Sequence, residues 1–530
     1  MSMADCVPYF KSGKEIEMNG AKSLVETLLA SGVDTCFANP GTSEMHFVAA
    51  LDQVPGMKCV LGLQENIVTG MADGYYRIAR KPACTLLHCG PGLANGMGNL
   101  HNARRARSGI VNIVGDQATY HRQYDAPLTA DTEGMAQTVS AWVRTSTNTA
   151  ELGHDAVEAV RAAQTFPGQV ATLILPADVS WGAGGMVGTP LSVPAPPAID
   201  HGAVQRVAQT LRTQKDVLLL LAGPAVLSEG QALAYRITRA TGASVMASYV
   251  TSHLARGRGR MQLERVPYGT EQAIKVFEKF RHIILVNATE PIGFFGYPDL
   301  PSRQYHPETQ FHVLSRPDQD PVAALEALVN ELGAPTVAIP DPGPRPEVAT
   351  GQPTPEGLAQ TLAALMPEGA IVSDESISYG RGFYRFTHAA PAHDWLHLAG
   401  GAIGDGMPVA TGAALGAKGQ RRVINLQADG SAMYSLQSLW TQAREKLPVT
   451  TIILNNSKYN ILIGEYKNVG AVIGDTAMSM LDLSQPNLSW VQLANGMGVE
   501  AAQAHTLEGC ADLMKRSFNQ AGPFLIELMI

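Results

Sequence analysis

Between Val423 and Asn456 the chain reads VINLQADGSAMYSLQSLWTQAREKLPVTTIILNN, and few architectures accommodate that pattern. An apolar run ends at Ala428, the turn Asp429-Gly430-Ser431 follows, and Leu436, Leu439, Trp440 and Ala443 then recur at helical spacing until Pro448. A second apolar, β-branched run, Val449 to Leu454, delivers Asn455 and Asn456 at its carboxyl end, so the unit is strand, helix, strand. A right-handed parallel crossover ends both strands on one side of the sheet, which predicts Asp429 and Asn456 on a common rim. Magnesium takes six hard oxygens and draws only one or two of them from carboxylates, the rest coming from phosphate and water. Asp429, Asn456 and a backbone carbonyl near Lys458 are the expected protein ligands, with a diphosphate completing the shell. Gly430 allows close backbone approach, and the N–H groups of Gly430 and Ser431 open a helix whose positive end faces an anion.

A D-G-S followed by a helix, a strand and N-N resembles the signature of thiamine diphosphate-dependent enzymes, whose usual form begins G-D-G. Ala428 stands here in place of the first glycine, a change of turn geometry more than of ligation. An ordinary βαβ unit with an Asn-rich loop is the plain alternative for this stretch alone.

At 530 residues the chain needs more than one core, and ordinary domain size suggests about three. A net charge of -8 without a basic block argues against nucleic acid as a partner. No apolar run spans a bilayer, the start MSMADCVPYFKSGKEIE is not a signal peptide, and the six cysteines show no C-x-x-C spacing; the expectation is a cytoplasmic protein with free thiols.

Apolar strands alternate with helices throughout, which predicts doubly wound parallel sheets with the site on loops at the strand carboxyl ends. The proline-rich segments GTPLSVPAPPAIDH (188–201) and GAPTVAIPDPGPRPEVATGQPTP divide the chain into expected domains 1–187, 202–332 and 355–530. In the first, strands DTCFAN, 58–63, 83–88 and 108–114 are followed by loops that begin at Asn39, Gln64 and His88; Cys89 to Asn95 is read as loop. Turns of the middle domain lack G-x-G-x-x-G, so no FAD is expected. In the third, strand AIVSDES leads to Ile377-Ser378-Tyr379-Gly380, and the glycine-rich run 399–408 precedes a small-residue helix.

The family resemblance covers nearly the whole chain in the order pyrimidine-binding, central and diphosphate-binding domain, and it implies roles for particular residues. Glu65 matches the glutamate that activates the aminopyrimidine; a carboxyl in a dry cleft can share a proton with a ring nitrogen. Ile403 matches the apolar wedge between the two cofactor rings, and Ser378 and Gly401 match pyrimidine or diphosphate contacts. Asn39, Pro40, Gly41, Asn95, Tyr434 and Tyr459 complete the implied cofactor set with Asp429, Gly430, Ser431 and Asn456. Benzoylformate decarboxylases are similar in detail: their N-P-G-S turn resembles Asn39-Pro40-Gly41-Thr42, and their L-H before a glycine-rich loop resembles Leu87-His88-Cys89-Gly90. Acetolactate synthases show D-A-F-Q where this chain has Asp125-Ala126-Pro127-Leu128.

The resemblance departs at three places. The run EPIGFFGYPD lacks the decarboxylases' second histidine, His397 replaces a pocket aromatic, and Ile461 and Glu465 are bulkier and more charged than their counterparts. The implied function is decarboxylation of a 2-oxo acid to an aldehyde with thiamine diphosphate and magnesium, with Thr42 positioning the substrate carboxylate and His88 donating a proton. His397 is a further candidate. The alternatives are an acetolactate synthase-type carboligase and a non-catalytic relative that keeps the fold. The resemblance also implies a cofactor between two chains, Glu65 of one facing Asp429 of another, hence a homodimer at least and a homotetramer as the expectation.

Overall fold

A computed structural model describes residues 18–530. Three α/β units follow one another. The first holds β1 (Thr35–Asn39), β2 (Lys58–Leu61), β3 (Ala83–Leu87), β4 (Ile110–Asp116), β5 (Trp142–Thr145) and β6 (Val170–Pro176), all parallel, in the order β2-β1-β3-β4-β6-β5. The second holds β7 (Val217–Leu221), β8 (Ser244–Ala247), β10 (His282–Val286) and β11 (Gln310–Ser315), in the order β11-β10-β7-β8. The third holds β12 (Ile371–Glu375), β13 (His393–His397), β14 (Val423–Ala428), β15 (Val449–Asn455), β16 (Glu500–Ala504) and β17 (Phe524–Met529). It also captures β9 (His253–Arg256) from the middle of the chain, which pairs antiparallel with β13 and gives the order β16-β17-β15-β14-β12-β13-β9.

Strand order reverses between β1 and β3 in the first sheet and between β12 and β14 in the third. Open α/β sheets form their crevices at such points, outside the carboxyl ends of the strands. The residues placed there are Asn39 and His88 in the first unit, Glu375 and Asp429 in the third.

The first and third units meet helix to helix. Glu65–Ala79 crosses Gly406–Gly416 so closely that a Cβ on Gly74 would collide with the Val409 carbonyl and one on Gly412 with the Met71 carbonyl. Ile67, Val68 and Met71 share one apolar cluster with Val409, Ala410 and Ala413. At the far end of the first helix, buried Arg77 donates to Asp73 at 2.8 Å and to the His397 carbonyl at 2.8 Å, with Asp405 3.8 Å away. Burial raises the Asp405 carboxyl to about 8 although Arg77 opposes the rise. The two crevices are thus held in a fixed relation.

Several local expectations change. Cys89–Ala106 is one helix rather than a loop leading into a helix: Pro91 falls in the first turn, where no helical N–H is needed, and Gly92 and Gly96 let the helix lie against Glu65 and Thr69. The segment after Ala428 is not one helix but two pieces, Asp429–Ala432 and Ser438–Arg444. The second piece buries Ser438, Leu439, Thr441 and Gln442, and Leu436 and Ala443 pack partly buried against the apolar cluster of Leu439, whereas Trp440 lies outside it. Of the second piece's polar members, Thr441 donates to the Leu61 carbonyl at 2.9 Å and Gln442 Nε2 to Thr411 at 3.0 Å. Strands β5, β9, β13, β16 and β17 are additions to the sequence reading. Residues 1–17, which include the N-terminal segment read above, lie outside the described residues.

Candidate active site

The two crevices carry different chemistry. In the first unit, the turn after β1 places Thr42, Ser43 and Glu44 in a short 3-10 segment before helix Met45–Gln53. Glu44 is fully buried and accepts from the Gly41 N–H at 2.7 Å and the Ser43 hydroxyl at 2.6 Å, and its other carboxylate contact is His88 Nδ1 at 2.8 Å. A Cβ on Gly41 would run into the His88 ring, so the glycine is what lets turn and imidazole stack. His88 is the N-cap of helix Cys89–Ala106, and with Nδ1 engaged its Nε2 edge remains free. Thr42, His88, Cys89, Asp116, Tyr120 and Leu128 line a cavity of ≈ 400 Å³.

Glu65 opens helix Glu65–Ala79 directly after its N-cap Gln64, and its carboxylate accepts from Asn95 Nδ2 at 3.1 Å. Asn39 ends β1 and Pro40 follows it. Asn39, Pro40, Gly41, Thr42, Glu65, His88 and Asn95 thus share the first unit's crevice side.

In the third unit Asp429 is 2 % exposed. It accepts from the Gly430 N–H at 2.9 Å and from the Ser457 N–H at 2.7 Å, which joins the ends of β14 and β15 as the crossover predicts. Burial raises its carboxyl above the usual range despite those N–H groups, so a cation beside it would relieve a desolvated charge. The Asn456 side-chain oxygen accepts from Lys458 N–H at 3.1 Å and the Lys458 carbonyl from Asn460 N–H at 3.0 Å; each oxygen keeps a lone pair. A Cβ on Gly430 would stand 2.5 Å from the Tyr459 ring, so the backbone at the helix start must stay bare. Ser431 is fixed by Gln427 at 2.6 Å, and Tyr434 lies against Gly404. An all-oxygen donor set, a bare turn and a buried carboxylate fit magnesium and a diphosphate.

The glycine-rich loop is positioned by a residue the sequence reading did not single out. Buried Glu375, last in β12, accepts from Gly404 N–H at 2.7 Å, Gly406 N–H at 2.8 Å and Gln427 at 2.8 Å. Asn102 holds the other side, donating to the Ala402 carbonyl at 2.8 Å. Ile403 is thereby presented to a cavity of ≈ 410 Å³ that His397, Ile377, Gly401, Ile461 and Glu465 also line. Ser378 sits in the turn between Ile377 and Gly380. Phe294 from the middle unit occupies the space over Gly401, 2.6 Å from where its Cβ would be. His397 is buried, and burial first, then Arg265, Arg256 and Arg77, hold its imidazole well below its ordinary range, hence neutral.

Glu44 and Glu375 were the functional-site residues missed. The G-x-x-E spacing at Gly41–Glu44 was the available signal for the first; an acid ending an apolar strand was the only one for the second. The cavities at His88 and Ile403 share no lining residue. No described helix is long and apolar enough to cross a membrane.

Comparison with known proteins agrees with this geometry. The thiamine pyrophosphate enzyme N-terminal TPP binding domain matches residues 18–141, and the C-terminal TPP binding domain matches residues 378–528. The chain is 47% identical to a putative acetolactate synthase large subunit, IlvX, of Mycobacterium tuberculosis, over 97% of this chain and 99% of that one. It is 27% identical to a benzoylformate decarboxylase of Pseudomonas aeruginosa, over 95% of this chain and 97% of that one. A thiamine diphosphate-dependent 4-hydroxybenzoylformate decarboxylase from Rhodococcus jostii superposes with a TM-score of 0.82 at 25% identity, covering 96% of this chain and 98% of the other. The chain belongs to the thiamine pyrophosphate enzyme family, as a thiamine diphosphate-dependent decarboxylase or carboligase.

Proposed function

We propose that the protein decarboxylates a 2-oxo acid to an aldehyde with thiamine diphosphate and magnesium, in the manner of a benzoylformate decarboxylase. The observation that carries this reading is the pairing of a free imidazole edge with a hydroxyl in one cavity, His88 beside Thr42, the imidazole held through Nδ1 by buried Glu44. Asp429, Asn456 and the Lys458 carbonyl would hold magnesium, with Gly430 and Ser431 at the diphosphate. Ile403 would press between the cofactor rings, and Glu65 would hydrogen-bond the aminopyrimidine. When bound, the cofactor supplies an electron sink for the pair released as carbon dioxide departs.

The chain's own residues supply the rest. Thr42 orients the substrate carboxylate, the apolar wall of Ile403 and Ile461 excludes water, and His88 delivers a proton from Nε2 to the carbon that has lost carbon dioxide. Because Glu65 and Asp429 belong to different crevices, we place the complete site between two chains, which makes a homodimer the smallest active form and a homotetramer the expected one. A cytoplasmic enzyme divided at 1–187, 202–332 and 355–530 is consistent with this reading.

The identity to a putative acetolactate synthase favours a second reading, in which the decarboxylated fragment joins another carbonyl compound. A panel of 2-oxo acids assayed with thiamine diphosphate and magnesium, following carbon dioxide, aldehyde and carbon–carbon bond formation, separates the two. Aldehyde release that stops with a chelator and returns with magnesium supports the decarboxylase; acetolactate as the sole product from pyruvate, with no aldehyde from any acid, rejects it.

A further inference from the structure

The cavity at Ile403 holds charge that the proposed reaction does not use. Arg265 and Arg381 line it, each stacked on an aromatic ring, Arg265 over Tyr249 at 5.1 Å and Arg381 over Tyr268 at 4.1 Å. Among the described residues neither guanidinium has a carboxylate within ion-pair distance or a side-chain hydrogen bond, whereas the neighbouring Arg385 is paired with Glu264 at 3.2 Å.

The carboxylates of the same wall form no ion pair with either arginine, and other donors hold them. Asp374 accepts from the Ser376 N–H at 3.0 Å and its hydroxyl at 2.5 Å, and from Trp395 Nε1 at 3.0 Å. Glu465 accepts from Tyr297 at 2.8 Å, Asn468 at 3.2 Å and Tyr268 at 3.4 Å. Glu375 is occupied by the glycine-rich loop. A separate observation concerns the same wall: His397, which lines the cavity, keeps its Nε2 buried without any hydrogen-bond partner. Two forked cation donors and an orphan imidazole nitrogen around ≈ 410 Å³ describe a receptor for a planar oxyanion.

We infer that this cavity receives the distal carboxylate of the substrate, so that the preferred acid is a 2-oxodicarboxylate, gripped by Arg265 and Arg381 with His397 Nε2 as a third polar contact. The inference rests on the reading that the 2-oxo acid reacts beside Ile403. It assigns the substrate class that the changes at Ile461, Glu465 and His397 left open. A cationic tail would meet two guanidiniums that no ion pair occupies, and like charge disfavours it there.

Holoenzyme with thiamine diphosphate and magnesium is assayed with 2-oxoglutarate, with 2-oxopentanoate as the chain-matched neutral acid, and with 6-amino-2-oxohexanoate as a cationic one. Wild type is expected to favour 2-oxoglutarate in kcat/KM by at least tenfold, and R265M/R381M to cut that ratio tenfold or more. R381M alone, at an exposed position, gives the same direction if the double variant folds poorly. In parallel, calorimetric titration without cofactor reads binding of glutarate against pentanoate. Glutarate is expected to bind wild type at least tenfold more tightly than it binds the variant.

Preference for the neutral or cationic acid overturns the proposal, as does unchanged glutarate affinity in both variants. A tenfold loss of thiamine diphosphate affinity in the variants, with the substrate ratio kept, assigns the arginines to the diphosphate instead and also overturns it. Failure of wild type to turn over any 2-oxo acid rejects the proposed function, and the glutarate titration still decides the role of the arginines.

Discussion

Glu375→Gln perturbs the group that positions Ile403 while changing almost no volume. The carboxylate receives donors on both oxygens, Gly404 N–H on one and Gly406 N–H with Gln427 Nε2 on the other. A glutamine offers one oxygen. If it faces Gly406, its amide opposes the Gly404 N–H; if it faces Gly404, the amide opposes Gly406 N–H. Either way at least one buried backbone donor loses its acceptor, which costs about 1–3 kcal/mol. Burial raises the Glu375 carboxyl, so removing its charge returns part of that cost. The net loss of stability is about 1–2 kcal/mol, or a fall in Tm of about 2–8 °C for units of this size. The effect on cofactor binding is larger than the effect on melting, because the freed segment carries Gly401 and Ile403. Each about 1.4 kcal/mol needed to restore the loop is tenfold in affinity, so thiamine diphosphate should bind about five to thirty times more weakly. Calorimetric titration of the cofactor with magnesium, beside a melting curve of the apoprotein, reads both quantities. Cofactor affinity within twofold of wild type would show that Glu375 does not hold the wedge.

Other consequences can be checked as directly. Glu44→Ala strips the acceptor from Gly41 N–H, Ser43 and His88 at a fully buried site; kcat should fall by about tenfold or more while cofactor affinity holds, as steady-state kinetics and titration will show. Gly412→Ala sets a methyl against the Met71 carbonyl, where backbone rather than a flexible side chain must move, so chemical denaturation should report a loss of about 1–3 kcal/mol or more; an unchanged midpoint would refute the close helix crossing. Burial lowers His393 to about 4 although its bond to the Pro391 carbonyl opposes the shift. The unfolded chain therefore binds this proton first as pH falls from about 6.5 to 4, and the fold loses about 3 kcal/mol over that window from this group, with His397 acting in the same direction. Urea midpoints measured from pH 7.5 to 4.5 should fall less steeply for H393Q than for wild type, and equal slopes would contradict the assignment.

The sequence revealed most where local pattern and tertiary environment agree. Val423–Ala428, Val449 onward and Pro355–Leu365 carry strong strand or helix periods bounded by Pro, Asp-Gly or Asn-Asn, and they fold as their pattern indicates. Cys89–Asn95 misled because Gly90 packs on Ala130 and Gly92 on Glu65, a tertiary demand that overrides low helix propensity. Strand β13, HDWLH, has no alternation to read, and its partner β9 lies far upstream in the chain. Within the site, resemblance pointed to residues that would touch the cofactor, such as Asp429 and Ile403. Glu44 and Glu375, whose partners are backbone N–H groups and side chains from other segments, become visible only when those segments are in place.

In the proposed assembly Glu65 of one chain and Asp429 of another serve the same cofactor. Inactive E65Q and D429N proteins, mixed, dissociated and reassembled, test it without any structural assumption about the substrate. Random pairing makes about half of the dimers mixed, and each mixed dimer then has one intact and one doubly altered site, so about a quarter of wild-type activity should return. Activity that stays at the level of the separate variants, with mixed dimers shown to have formed, would place both residues in a single chain's site and contradict the claim.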